Sequence, residues 1–193
     1  MLRSTPIVLV VLRFFAGPAL LWAALTRQDR VWTVGILVFA FLADVFDGII
    51  ARRLGIVTVQ LRTADSAADT GFYFCVALAV FLLHRGLLSP FTIPLLVVLA
   101  LLAVNWLAAM VKFRRGMSFH AYSSKLWGLS LFAASVSLLG FSVAGIWLWL
   151  AVVIGVLGHL EGFAMVLILP CWAHDVSGIP EALRLRAEAK ATL

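Results

Sequence analysis

The sequence has few charged residues and very few acids. Only 12% of its 193 residues are charged, and Asp and Glu together number nine. A soluble domain averages about 25% charged residues. Hydrophobic residues instead make up 64% of the chain, and the mean hydropathy is +1.10. This balance excludes an ordinary soluble domain and predicts a polytopic membrane protein.

Paired cysteines and nucleotide-binding loops are also missing from the sequence. Cys75 and Cys171 stand alone in apolar segments without a CxxC pair, so packing is their simplest role. There is no Walker motif. The net charge of +6 does not indicate a nucleic-acid partner, because the basic residues flank apolar runs. Membrane topology and contacts to anionic lipid explain such residues better.

Six apolar runs approach the length of about 20 residues that a helix needs to cross about 30 Å of hydrocarbon. No run alternates with a period of two, so the sequence predicts helices rather than strands. We therefore expect one all-α membrane domain over residues 1–193, with six transmembrane helices and no separate signal peptide. The runs cover residues 7–25, 31–51, 65–83, 91–111, 125–144 and 146–172.

Lys and Arg are distributed unevenly between the two ends of these runs. Of the 15 basic residues, Arg13 lies within the first run, and only Arg27, Arg30 and Arg85 lie on the side opposite the N-terminus. The positive-inside rule then places both termini in the cytoplasm of a bacterial-type plasma membrane. For residues 179–193, a short interfacial helix and a frayed terminus both remain open.

Four of the nine acids lie in or at the ends of apolar runs. Asp44 and Asp47 are three residues apart in the second run, and Asp65 and Asp69 are four apart at the start of the third. Each pair therefore lies on one face of its helix. An ionised Asp at a helix centre costs about 2.5–3.5 kcal/mol on insertion scales. Four of them require an offsetting charge.

The short link between these two runs lets their helices pack as antiparallel neighbours, so that the two carboxylate pairs can meet. Carboxylates that close cannot all stay ionised unless cations lie among them. Oxygen ligands without nearby Cys or His favour Mg²⁺ or Mn²⁺ over Zn²⁺. Gly48 and Ala51 leave room for a ligand, and Arg52 suits phosphate oxygens. The sequence predicts a metal–diphosphate site, with a cation pathway as the alternative.

These residues resemble the signature of the CDP-alcohol phosphatidyltransferase family, which is D-x2-D-G-x2-A-R-x8-G-x3-D-x3-D. Seven of its eight fixed positions match, and Leu61 stands where the family usually has glycine. Arg13 and Pro18 also resemble the start of family members. Residues 51–58 resemble the phosphatidylglycerophosphate synthase branch, although Thr70 stands where that branch often has lysine. The matching positions are Asp44, Asp47, Gly48, Ala51, Arg52, Asp65 and Asp69.

The resemblance implies six transmembrane helices, commonly in a homodimer, with a polar cavity that opens to the cytoplasm. It implies a transferase that moves a phosphatidyl group from CDP-diacylglycerol to an alcohol and releases CMP. Two divalent ions would assist, and Asp69 would be the general base. The metal ligands would be Asp44, Asp47, Asp65 and also Asp69, and the CDP moiety would contact Gly48, Ala51 and Arg52.

A second basic cluster follows the fourth run and bears on the acceptor. Lys125 begins an apolar helix, where its charge opposes the helix dipole unless an anion binds there. We therefore expect Lys125, His120 and Arg62 to bind an acceptor phosphate, with glycerol 3-phosphate as the first candidate. Inositol phosphate, serine or a lipid alcohol are the alternatives. Topology and lipid headgroups also explain part of this cluster.

Two polar residues of the sixth run, His159 and Glu161, have two explanations. They are either functional, as intramembrane ionisable groups often are, or they link the helix to a neighbour. Asn105 in the fourth run predicts an interhelical hydrogen bond.

Overall fold

Helices form all the regular structure that the computed structural model describes, which covers residues 5–26, 29–55, 59–114, 121–173 and 176–191. This confirms the all-α class. A 3₁₀ turn, Ser89–Phe91, separates the third helix from the fourth. The helices are α1 (Thr5–Leu25), α2 (Arg30–Leu54), α3 (Val59–Leu88), α4 (Thr92–Phe113), α5 (Tyr122–Phe141), α6 (Ile146–Ile168) and α7 (Ile179–Ala191).

Five stretches of the described chain are long and apolar enough to cross a membrane, which supports an integral membrane protein. The third stretch has 50 residues and contains most of α3, the 3₁₀ turn and α4. At 1.5 Å per residue, 50 helical residues would extend about 75 Å, more than twice a hydrocarbon core of about 30 Å. The count of six spans is therefore not confirmed and stays a prediction. The stretches are Pro6–Leu25, Arg30–Ile50, Ala64–Phe113, Tyr122–Phe141 and Ile146–Ile168.

The chain divides into two compact units. Unit 1 comprises Met1–Leu88 and Ser135–Ala144, and unit 2 comprises Ser89–Ala134 and Gly145–Leu193. The single domain expected over residues 1–193 stays a prediction.

In unit 1, α1 packs against both α2 and α3. Gly17 permits the close approach of α1 to α3, because a Cβ there would lie 3.2 Å from Phe72 Cα and 3.3 Å from Cys75 Sγ. Leu20 and Leu37 are fully buried at the centre of this unit. The packing of α1 therefore determines which side chains reach the polar faces of α2 and α3.

In unit 2, polar side chains tie α4 to α6. Asn105 Nδ2 donates a 2.7 Å hydrogen bond to the carbonyl oxygen of His159, so the predicted interhelical bond is present. Lys112 Nζ donates to the carbonyl oxygens of Val166 and Leu167 at 2.7 and 3.0 Å. The lysine contacts satisfy carbonyl groups at the C-terminal end of α6, where the helix dipole also stabilises a positive charge.

The C-terminal segment forms a helix that packs within unit 2. Ala182 of α7 is buried against Met165 and Leu169, and Ile179 and Leu185 pack on the same cluster. The helix is therefore held by its apolar face, which rules out a frayed terminus over Ile179–Ala191. Its location at a membrane interface stays a prediction.

Candidate functional site

Helices α2 and α3 bring acidic side chains together in unit 1. Asp44 and Asp47 lie in the second half of α2, and Asp65 and Asp69 lie in the first half of α3. Asp44, Asp47 and Asp65 can each present one ligand atom such that these atoms lie within 4.8 Å of one another. We call Asp44, Asp47, Asp65 and Asp69 the carboxylate cluster.

A cation from α1 lies among these acids. Arg13 Nη1 pairs with Asp44 Oδ1, and Arg13 Nη2 pairs with Asp65 Oδ1. Nη1 also lies 3.3 Å from Asp69 Oδ1, and Nη2 lies 3.5 Å from Asp47 Oδ2. One guanidinium therefore serves all four carboxylates, and its side chain is only 1% exposed.

The sequence places Arg13 within the first apolar run but does not reveal these four partners. A signal was present, because an arginine in the middle of an apolar run requires a partner or a polar cavity. The identity of the partners depends on how α1 packs on α2 and α3, and sequence spacing does not fix that packing.

The four carboxylates differ in how far they are buried. The Asp47 side chain is 6% exposed, whereas those of Asp44, Asp65 and Asp69 are 45%, 34% and 39% exposed. Asp47 Oδ2 is buried and has no hydrogen-bond partner. The cluster thus has a closed side at Asp47 and an open side at the other three acids.

The cluster fits a divalent cation. Its donors are all carboxylate oxygens, which Mg²⁺ and Mn²⁺ prefer, and Asp47 Oδ2, which accepts no hydrogen bond and lies 3.5 Å from Arg13 Nη2, can serve as a ligand. One guanidinium offsets only one of the four carboxylate charges if all are ionised. The remaining charge calls for a cation or for protonation.

The position where this chain departs from the family signature lies inside a helix. Leu61 is half-buried in the first turn of α3. Arg114 and Ser142 are the non-glycine residues with positive φ among the described ones, so the backbone at Leu61 does not require glycine. Thr70, the second departure, donates its Oγ1 hydrogen bond to the carbonyl oxygen of Ser66 at 2.8 Å. Both departures are compatible with a regular α3.

The other predicted site residues are placed as follows. Gly48 is half-buried directly after Asp47 on α2. Lys125 is exposed in the first turn of α5, in unit 2, with Nζ 5.1 Å from the centre of the Tyr122 ring. The side chains of Ala51, Arg52 and Arg62, and the whole of His120, lie outside the described residues.

The polar residues of α6 have structural surroundings. His159 is buried, its carbonyl oxygen accepts the Asn105 bond, and its ring lies 4.9 Å from that of Trp127 at an interplanar angle of 74°. Glu161 is half-buried and lies close to Gly178, where a Cβ would be 3.2 Å from its Oε1. These contacts favour the interpretation that both residues link α6 to its neighbours.

Comparison with known proteins identifies a matching family. A family model described as CDP-alcohol phosphatidyltransferase matches residues 3–157. The matched range contains Arg13 and the whole carboxylate cluster, and it ends within α6 before His159. No curated protein and no solved structure matches the chain.

Proposed function

Since the chain belongs to the CDP-alcohol phosphatidyltransferase family, an enzyme family of phosphotransferases, we propose that it transfers a phosphatidyl group from CDP-diacylglycerol to an alcohol and releases CMP. The observation that carries this proposal is the carboxylate cluster, whose four acids have the family spacing and converge in unit 1.

In this proposal Asp44, Asp47 and Asp65 hold divalent metal, with Mg²⁺ or Mn²⁺ as the ion and two ions in the full site. The oxygen donor set, the absence of a hydrogen bond to the buried Asp47 Oδ2 and the excess negative charge support it. Bound ions would neutralise the diphosphate and stabilise the leaving phosphate. The partly exposed Asp44 and Asp65 side chains offer oxygens on the open side of the cluster.

Asp69 is the proposed general base, and by resemblance it also touches metal. It lies outside the group of three acids whose ligand atoms lie within 4.8 Å, and its partly exposed carboxylate can be reached by an acceptor hydroxyl. The acceptor hydroxyl would give its proton to Asp69 while the hydroxyl oxygen forms a bond to the lipid-linked phosphorus. The bond between that phosphorus and the CMP oxygen breaks, and CMP leaves with the electron pair.

The remaining roles follow the family pattern. Gly48, Ala51 and Arg52 would contact the CDP moiety, and Gly48 adjoins the buried Asp47 on α2. We propose glycerol 3-phosphate as the acceptor, with Lys125, His120 and Arg62 as ligands of its phosphate. Inositol phosphate, serine or a lipid alcohol would use the same chemistry. We also propose a homodimer in the plasma membrane, with the active site on the cytoplasmic side.

Release of CMP tests the proposed function. Purified protein would be incubated with CDP-diacylglycerol, Mn²⁺ or Mg²⁺ and each acceptor in turn, and CMP would be quantified by chromatography. Asp47→Asn should reduce CMP release by at least about 100-fold. Mutating even the residues that hydrogen-bond to metal ligands lowers metal affinity or activity by about 10–100-fold, and Asp47 is a proposed ligand itself. Asp29→Asn is the matched control, since Asp29 is an exposed acid of unit 1 outside the cluster.

Two results would contradict the proposal. One is CMP release by Asp47→Asn at the wild-type rate. The other is a wild-type protein that releases no CMP with any acceptor. In the latter case, Mn²⁺ flux through protein-containing liposomes would favour the cation-transport alternative instead.

A further inference from the structure

Arg13 and a divalent cation would use the same carboxylate oxygens. Arg13 pairs directly with Asp44 and Asp65, which are two of the three acids that can hold a metal ion together. It also lies 3.5 Å from Oδ2 of the third, Asp47. The guanidinium is therefore inside the group of ligands, rather than behind it.

The charge of Arg13 does not depend on its surroundings. A guanidinium stays protonated in proteins, so it cannot become neutral when another cation approaches. Its Nε is buried without a hydrogen-bond partner, which shows that the cluster does not satisfy the whole group. A metal ion entering among Asp44, Asp47 and Asp65 would meet a fixed positive charge that already pairs with two of them.

We propose that Arg13 is the counter-ion of the carboxylate cluster in the metal-free protein, and that it competes with divalent cations for Asp44 and Asp65. Loading the site displaces the guanidinium from at least one of these two acids. The inference rests on the metal site of the proposed function and adds a residue that sets its affinity.

The sign of the effect separates this role from a purely structural one. If Arg13 only holds α1 against α2 and α3, its loss disorders the acids and weakens metal binding. If Arg13 competes, its loss removes a repulsive charge and strengthens metal binding. The competing role also predicts that metal restores the stability lost with Arg13, because a divalent ion can replace the missing positive charge.

The size of the effect follows from known charge interactions. An opposite charge within about 4–6 Å changes the proton affinity of a carboxylate by about 10- to 1000-fold. The same field opposes a divalent cation at least as strongly, because the cation carries twice the charge. We therefore expect Arg13→Gln to lower the dissociation constant for Mn²⁺ by about tenfold or more.

The experiment is a titration of detergent-solubilised protein with Mn²⁺ alone, with free Mn²⁺ followed by electron paramagnetic resonance. Wild type, Arg13→Gln, Arg13→Lys and Arg85→Gln would be compared. Arg13→Lys keeps a positive charge, but an ammonium group, unlike a guanidinium, can lose its proton when a metal ion binds, so its dissociation constant for Mn²⁺ should lie between those of wild type and Arg13→Gln. Arg85 belongs to the same unit and lies over the Phe81 ring, at 4.8 Å from its centre, so Arg85→Gln is the control without an effect.

Thermal unfolding supplies a second readout that needs no activity. In EDTA, Arg13→Gln should unfold at a lower temperature than wild type. In saturating Mn²⁺ the gap should close, because the variant gains more from the ion than wild type does. The Arg13→Gln variant would be purified in Mn²⁺. Its folding in Mn²⁺ then tests whether the ion can replace the lost positive charge.

Three results would overturn the inference: Mn²⁺ binding to Arg13→Gln that is equal to or weaker than wild type, equal Mn²⁺-induced stabilisation of the two proteins, or an Arg13→Gln variant that fails to fold even in Mn²⁺. The proposed function is judged separately by CMP release. A protein that releases CMP but fails these tests loses only the role of Arg13. If Arg13→Gln binds Mn²⁺ more tightly than wild type but wild type releases no CMP, only the transferase proposal is wrong.

Discussion

At the scale of single residues, Asp69 differs from the other three acids of the cluster. It is partly exposed, its Oδ1 lies 3.3 Å from Arg13 Nη1, and it lies outside the three-acid group that can hold a metal ion. Asp69→Asn should lower kcat by about 10²- to 10⁴-fold, since an amide cannot take the proton from the hydroxyl of the alcohol substrate. Binding of CDP-diacylglycerol should change little.

Initial rates of CMP release and competition by a non-reactive CDP-lipid would measure these two quantities for Asp69→Asn. Asp29→Asn serves again as the control. A variant with near wild-type kcat would remove Asp69 from the role of base. A variant that loses donor binding in parallel with kcat would instead assign Asp69 to the metal ligands.

Lys125 is the second residue whose role can be tested alone. Its side chain is exposed at the start of α5, where a cation is unfavourable unless an anion binds. Lys125→Ala should raise the KM for glycerol 3-phosphate by about tenfold, which corresponds to the loss of one charge-assisted hydrogen bond, and leave kcat nearly unchanged. Lys190→Ala, which removes an exposed lysine of α7, is the control.

Kinetics at varied glycerol 3-phosphate would decide whether Lys125 contributes to the acceptor site. An unchanged KM in Lys125→Ala would assign its charge to topology and lipid headgroups. A similar rise in Lys190→Ala would point to a general effect of surface charge.

How well residues could be predicted depends on whether their partners are local. The pairs Asp44–Asp47 and Asp65–Asp69 each share a helix face because the helical period fixes their spacing. Their meeting also follows from the short link between α2 and α3. Arg13 belongs to neither helix, and the sequence does not state the depth at which α1 packs, so its four partners could not be named in advance.

At the scale of helices, the contact between α1 and α3 is controlled by Gly17. A methyl group at this position would lie 3.2 Å from backbone Cα of Phe72, which cannot move aside as a flexible side chain can. Gly17→Ala should therefore destabilise the protein by about 1–3 kcal/mol, the usual cost of overpacking. Gly35→Ala should have no destabilising effect, since a Cβ at Gly35 meets nothing within 4 Å.

Thermal unfolding in detergent, with and without Mn²⁺, would compare the two glycine variants. Gly17 lies one turn after Arg13 on α1, so displacement of α1 should also disturb the carboxylate cluster. Equal melting temperatures for Gly17→Ala and Gly35→Ala would show that α1 and α3 do not pack this closely.

Helix boundaries show where hydropathy patterns lose information. The predicted break between the runs 125–144 and 146–172 is observed as a short gap between Phe141 and Ile146. Ser142 has φ of 56° in this gap, and Ser137 Oγ donates to the Val143 carbonyl oxygen. The predicted third run ends at residue 83, next to the non-helical His84, and α3 continues beyond this kink to Leu88. Arg85 and Gly86 follow this kink, so hydropathy falls there although the chain stays helical for about one more turn.

At the scale of the whole molecule, the number of membrane crossings determines whether the two ends of the chain lie on the same side. An even number places the N-terminus and the segment after α6 on one side, and an odd number places them on opposite sides. The basic residues favour the even count, with the links after α1 and α3 on the side that is poor in Lys and Arg. The gap between the predicted runs 65–83 and 91–111 contains His84, Arg85 and Ser89, and the count of six depends on whether the chain reverses direction there.

Two exposed positions make the orientation measurable. Cys171 follows α6, and Thr26 follows α1. With both termini in the cytoplasm, a membrane-impermeant maleimide should label Cys171 in inside-out vesicles and not in intact spheroplasts. Thr26→Cys in a Cys171→Ser background should show the reverse pattern. Cys171→Ser alone gives the background from Cys75, which lies half-buried within α3.

The two labelling patterns together distinguish the number of crossings from their direction. Six crossings leave five between positions 26 and 171, so the two cysteines must react from opposite sides of the membrane. Labelling of both from the same side would mean an even number of crossings between them, and the six-span topology would be wrong. Labelling of Cys171 from outside and of the cysteine introduced at position 26 from inside would keep six crossings and invert the protein. The positive-inside distribution opposes that inversion. Apart from Arg13, Arg27, Arg30 and Arg85, 11 of the 15 basic residues lie on the side of the termini, and they would then face away from the cytoplasm.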